Sequence, residues 1–141
     1  MTAQHDGMHQ IGDAAAAVGL SLRTLRHYEE VELVPPSGRS PGGFRLYTDD
    51  DIDRLHLVKH MKPLEFTLEE MRELLDIRDR LAAGIDDELE RAELLDRLGT
   101  YAAAAEERCS RLLTQLQAAE SFASDIRREA NRRRSSARSA W

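Results

Sequence analysis

Apolar residues in this chain first fall into short clusters at helical spacing, broken by one proline- and glycine-rich stretch. They then settle into a long, regular 3-4 repeat. After a polar leader, Gly12 to Val18 reads as an alanine-rich helix that Gly19 breaks. Ser21 is a good N-cap for a second helix running to about Glu30, because its hydroxyl can accept from an orphan amide of the first turn. Only a Gly-Leu-Ser turn separates the two, the spacing of a helix-turn-helix. Val18, Leu22 and Leu25 are expected to face a shared core, leaving Arg23, Thr24, Arg26 and His27 to point elsewhere.

Prolines and glycines crowd the stretch from Val34 to Tyr47, and its end, Phe44-Arg-Leu-Tyr47, alternates at the strand period. A short β-hairpin, or wing, is predicted there. Thr48-Asp-Asp-Asp51 resembles a capping signature for a third helix, which carries Ile52, Leu55 and Val58 to about Met61 before Pro63 stops it. Thr67-Leu-Glu-Glu70 is a capping box for a fourth helix, with Leu68, Met71, Leu74, Leu75 and Ile77 on its apolar side and Gly84 at its close.

From Asp86 onward there is no proline, and the chain stays helix-friendly to about Asn131. Leu95, Leu98, Ala102, Ala105, Cys109, Leu112, Leu116, Ala119, Ala123 and Ile126 follow one another at 3-4 spacing, with charges on the flanks. That is a coiled-coil seam, and a helix so long needs a partner. Parallel pairing would stack Ala102 on Ala102 and leave a thin middle. Antiparallel pairing sets Leu95 against Ala119 and Ala102 against Leu112, which fills the seam better. The predicted fold is therefore mostly α: a winged helix-turn-helix head over residues 8–83, a dimerisation helix over 86–128 paired as an antiparallel two-stranded coiled coil, and a basic, loose tail over 129–141.

The net charge of −6 looks wrong for a partner of polyanions, but its distribution matters more. Met1 to Phe66 holds 7 basic and 10 acidic residues, Thr67 to Ile126 holds 7 and 15, and Arg127 to Trp141 holds 6 and 1. Within the head, Arg23 and Arg26 can pair with phosphate or with guanine O6 and N7, and Ser21, Thr24, His27 and Tyr28 can donate to phosphate. Arg39 and Arg45 add charge on the wing, Gly42-Gly43 permits a tight turn near DNA, and Tyr47 either bonds a phosphate or packs beneath the wing. Lys59 and Lys62 are candidates for further backbone contacts. A merely solvated cationic face is the plainer alternative, disfavoured because the arginines fall on both the recognition helix and the wing of one module.

These same stretches resemble the MerR family: Ile11-Gly-Asp-Ala-Ala15, Ser21-Leu-Arg-Thr-Leu-Arg-His-Tyr-Glu29, Gly43-Phe-Arg-Leu-Tyr47, Asp51-Ile-Asp-Arg-Leu55 and Phe66-Thr-Leu-Glu-Glu-Met71, followed by the long helix. The resemblance covers about Gln10 to Arg128. It implies a homodimeric regulator with antiparallel helices, bound to double-stranded promoter DNA at a palindromic site between two overlong-spaced elements, which it bends and untwists; RNA polymerase is a further partner to consider. A DNA-architectural or excisionase-like protein is the alternative. Two departures stand out: Glu32 and Glu65 occupy positions where the family commonly has glycine, so a left-handed turn there would be strained and open to alteration.

Other functions are poorly supported. Cys109 alone is too few thiolates for a closed metal site or a cluster, and His56 with His60 lacks a third ligand. In the seam, Cys109 reads as a small apolar residue, or as a cross-dimer disulfide if the helices cross there. The drug-sensing relatives' C-terminal ligand domain is not expected. No nucleophile–base pair or phosphate loop stands out, so neither catalysis nor a cofactor is expected. No apolar stretch reaches the ~20 residues a membrane span needs, and the leader lacks a secretory pattern, so a cytoplasmic location is expected.

Overall fold

A computed structural model of the protein describes residues 7–139. The elements run β1 (Met8–Gln10), α1 (Ile11–Val18), α2 (Leu22–Glu30), β2 (Gly38–Arg39), β3 (Arg45–Thr48), α3 (Asp49–Met61), a 3-10 turn (Lys62–Leu64), α4 (Leu68–Ala83) and α5 (Glu88–Ser139). The chain divides into a compact unit that ends at Leu98 and a second that starts at Gly99.

The junction between α1 and α2 forms as its residues dictate. Gly19 takes a left-handed conformation (φ 69°), and the Leu20 amide returns to the Ala15 carbonyl at 3.0 Å. A Cβ at position 19 would lie 2.9 Å from Lys59 Nζ, which donates to the Val18 carbonyl at 2.6 Å. Lys59 thus caps the C-terminal end of α1, a use for its charge that fits the helix dipole and differs from the backbone-contact role expected of it. Ser21 caps α2 by accepting from the Thr24 amide at 3.1 Å.

The wing is larger than the expected hairpin. β3 pairs antiparallel with β2 on one side (Arg39 opposite Arg45) and with β1 on the other (His9 opposite Tyr47), giving a three-stranded sheet of order β1-β3-β2. The leader segment Met8-His-Gln10 is too short and polar to announce a strand, and its place comes from pairing with β3. At the other end of the wing, the Ser40–Phe44 turn closes through the Gly43 amide on the Ser40 carbonyl at 2.8 Å, with Gly43 at φ 83°.

Both capping boxes are present: Thr48 with Asp51, and Thr67 with Glu70. Asp51 does more than cap. It is 5% exposed and also accepts from the Ser37 amide (3.1 Å) and hydroxyl (2.8 Å), pinning the loop before the wing to the start of α3.

Glu32 (φ 57°) and Glu65 (φ 62°) both adopt the left-handed conformation. The turns are therefore kept rather than altered, at the steric cost that a side chain brings to this region. Glu65→Gly should raise stability by about 1 kcal/mol, whereas Glu65→Ala should not, because alanine keeps the Cβ. Thermal melts of the two variants check this; equal melting temperatures would contradict it.

The head core is built from Val18, Leu25, Val34, Tyr47, Leu55, Val58, Ile77 and Leu94. Leu22, expected inside, is 40% exposed. Leu94, from the start of α5, is buried instead, and ion pairs Arg97–Glu73 (2.6 Å) and Arg80–Glu90 fasten that start to α4. The head unit thus runs past the boundary expected near residue 83. At its other end α5 continues helically to Ser139, so the loose tail expected over 129–141 is helix over 129–139; positions 140 and 141 lie outside the described residues. Beyond Gly99 the helix contains no glycine or proline, its arginines and alanines favour helix, and Asp125–Arg128 and Glu129–Arg133 (3.2 Å) pair along its surface.

Candidate nucleic-acid interface

On α2, Arg23, Arg26 and His27 sit at i, i+3 and i+4, so they share one face, and all three are exposed. Among the described residues neither Arg23 nor Arg26 has a recorded hydrogen bond or ion pair. Glu30, a turn further along, ends this cationic stripe. At the N-terminal end the Ser21 and Thr24 hydroxyls lie 2.9 Å apart, with Ser21 exposed and Thr24 half-buried. The positive end of the helix dipole adds to the arginines there, so the start of α2 is the strongest attractor for anions on this helix.

The two tyrosines do not join that face. Tyr28 is 5% exposed and Tyr47 fully buried, and burial pushes both phenols above their ordinary pKa. Tyr47 packs beneath the wing, the second of its two expected roles, and its hydroxyl has no partner among the described residues. Tyr28, expected to reach phosphate, instead fills the core side of α2. Its position three residues after Leu25 places it there.

The wing arginines are held by a residue that sequence reasoning passed over. Arg39 Nη2 donates to Glu29 Oε1 at 2.8 Å, and Arg45 Nε donates to Glu29 Oε2. Arg39 Nη1 also reaches the Gly43 carbonyl at 3.2 Å, across the wing turn. The hydrogen bond it donates to Glu29 holds the Arg45 guanidinium above its ordinary pKa. Recognition helix and wing therefore share one carboxylate. An acid at the end of α2 facing two cations on the next element was the available signal.

Lys62 and Gly43 are exposed. Phe44, at the wing turn, is 66% exposed and was not anticipated as a contact. Arg72 on α4 donates to the Val31 carbonyl, steadying the turn that follows α2.

Of the seam residues, Leu95, Leu112, Leu116 and Ile126 are exposed leucines or isoleucine on α5, as are Ala102, Cys109, Ala119 and Ala123; Leu98 and Ala105 are half-buried. Leu113 and Phe122 add exposed apolar surface beside them. Among the described residues no group of three His, Cys, Asp or Glu side chains is arranged to hold a metal ion, and no helix is long and apolar enough to cross a membrane.

A helix-turn-helix with exposed arginines on its second helix and a β-wing locked beside it defines a winged helix-turn-helix module of the DNA-binding class. The sequence matches the MerR HTH family regulatory proteins over residues 10–77 and the MerR DNA-binding family over residues 52–121. The chain belongs to the MerR family of transcriptional regulators. It is 42% identical over 71 residues to the HTH-type transcriptional regulator ZntR of Escherichia coli (strain K12), covering 50% of each chain. It is 41% identical over 71 residues to the mercuric resistance operon regulatory protein of Bacillus cereus, covering 50% of this chain and 54% of that one. The matched part thus spans about half the length of these curated relatives. Among solved structures, HiNmlR, a MerR family regulator lacking the sensor domain and bound to promoter DNA, aligns with a TM-score of 0.55 and 26% identity over 82% of this chain and 89% of that one.

Proposed function

We propose that the chain acts as a homodimer on an inverted-repeat promoter site, regulating transcription by bending and untwisting the DNA. The observation that carries this reading is the exposed Arg23–Arg26–His27 face, its arginines without a partner among the described residues, beside a wing whose arginines are held in place. In this reading α2 enters the major groove, Arg23 and Arg26 meet base edges and phosphates, and Arg39, Gly43 and Arg45 follow the flanking backbone. The apolar seam from Leu95 to Ile126 supports pairing of two α5 helices, antiparallel by its large-against-small complementarity. A relative of the same fold bound to promoter DNA is further support. In this reading the partners are double-stranded promoter DNA and a second copy of the chain, in the cytoplasm, with RNA polymerase a further partner at the occupied promoter.

Two arginines separate the kinds of contact. Arg45→Ala should weaken binding to all duplexes alike and flatten the salt slope by about one unit, as loss of one phosphate contact does. Arg23→Ala should cost about 1–3 kcal/mol and relax preference at one position per half-site. Binding to selected and random duplexes across a salt series reads both; equal losses on both DNAs for both variants would refute the assignment.

A further inference from the structure

We infer that Glu29 is a positioning residue of the DNA interface, whose single carboxylate sets both wing arginines in place for phosphate. The inference rests on the DNA-binding reading above and deepens it. The geometry has three parts. Each carboxylate oxygen of Glu29 takes a different arginine, Oε1 from Arg39 and Oε2 from Arg45. The carboxylate side chain is 22% exposed and Arg45 32%, so the contact is partly screened from water, while Arg39, at 50%, reaches outward. Arg45 is bound through Nε alone, which leaves both of its Nη groups, the fork that fits a phosphate, without a recorded partner among the described residues.

Two opposed effects make the inference testable by sign. An acid beside a polyanion repels it, so removing the charge of Glu29 should by itself tighten DNA binding. Against that, an untethered arginine must give up its rotamer freedom when it binds phosphate, and a tethered one has already done so. Glu29 also joins the C-terminal turn of α2 to β2 and β3, so releasing it frees the wing from the recognition helix as well as the side chains from each other. If positioning dominates, a variant with more net positive charge binds DNA more weakly.

The experiment measures fluorescence anisotropy of a short mixed-sequence DNA duplex against the full chain over a salt series. Glu29→Gln keeps the shape but removes the charge and puts an N–H donor where one of the two acceptor oxygens stood. It should weaken binding about tenfold and flatten the log affinity–log salt slope by about one unit. In an Arg39→Ala/Arg45→Ala background only the charge repulsion remains, so the same change should no longer weaken binding but leave it unchanged or tighter, since a cycle of this kind isolates the coupling. Arg45→Lys provides an arm that does not depend on how Glu29→Gln folds. Lysine keeps the charge but cannot hold Glu29 with one group and phosphate with another, so it should bind nearly as weakly as Arg45→Ala. Tighter or unchanged binding by Glu29→Gln, or wild-type binding by Arg45→Lys, overturns the positioning role while leaving the DNA reading intact. A wild-type chain that fails to bind the duplex overturns both.

Discussion

Leu112→Lys is expected to break the proposed pairing of two α5 helices, leaving monomer or aggregate, and to reduce affinity for an inverted repeat to that of one half-site. Leu112 lies at the seam midpoint of the long helix, 43% exposed in the single chain, with Leu116 one turn away and Leu113 beside it. Among the described residues, six leucine, isoleucine and phenylalanine side chains between Leu95 and Ile126 are exposed, a load of apolar surface that a soluble monomer rarely carries in one stretch. An antiparallel partner would set Ala102 against Leu112, leaving no room or counter-charge for an ammonium. An uncompensated buried charge costs roughly 3–5 kcal/mol, and a two-fold dimer would bear it twice, so the dissociation constant should rise by about four orders of magnitude or more. Sedimentation equilibrium reads this directly. A variant that sediments as an unperturbed dimer would sink the seam assignment. Leu89→Lys is the natural comparison, since Leu89 is 83% exposed and stands outside the seam; its assembly should match the wild type.

Asp51→Ala should be the most destabilising single change at a polar site of the head. Its carboxylate accepts from the Ser37 amide, the Ser37 hydroxyl and the Thr48 amide, and the residue is nearly sealed from water. Deleting it strands three donors and releases the loop that leads into the wing. Hydrogen bonds to a charged group contribute about 1.5–3 kcal/mol each, with less than full additivity, so a loss of about 3 kcal/mol is expected from a domain total of roughly 5–15. That corresponds to a fall in melting temperature of more than about 10 °C. Asp49→Ala removes a neighbouring acid that pairs with His9 at the surface, 2.7 Å away, and should leave the melting temperature near that of the wild type. Indistinguishable melts for the two variants would show that Asp51 is an ordinary capping residue.

Asp51 also illustrates where the sequence was legible and where it was not. Its capping box with Thr48 could be read from spacing, because a capping box is local: both partners lie within four residues of each other. Its bonds to Ser37 could not, because they join segments 14 residues apart through a loop without periodic pattern. The same division runs through the rest of the head. The Gly19 break, the Ser21 cap, the wing turn and both capping boxes follow from local chemistry. β1, the burial of Leu94, the Arg72 contact with Val31 and the use of Lys59 as a helix cap depend on tertiary pairing. At the interface, the arginines were recognisable by type and place. Glu29, which holds two of them, was legible only as an acid one element away from two cations, a signal outweighed because an acid near expected phosphate contacts looks unfavourable until its partners are known. The helical tail shows the reverse error, in which basic composition was weighed above the helix propensity of the same residues.

The most direct measurement on the proposed function is the shape of the DNA in the complex. A short duplex carrying the inverted repeat recovered by in vitro selection would be labelled at its two ends, and energy transfer would be followed as protein is added. Two heads joined through a coiled coil and reading half-sites on one face should deform the duplex, so the ends should approach each other on binding. Deformation costs free energy that depends on the sequence being deformed, so replacing central steps that no side chain touches should change affinity. An end-to-end distance unchanged on binding, with affinity indifferent to the central sequence, would contradict the mechanism.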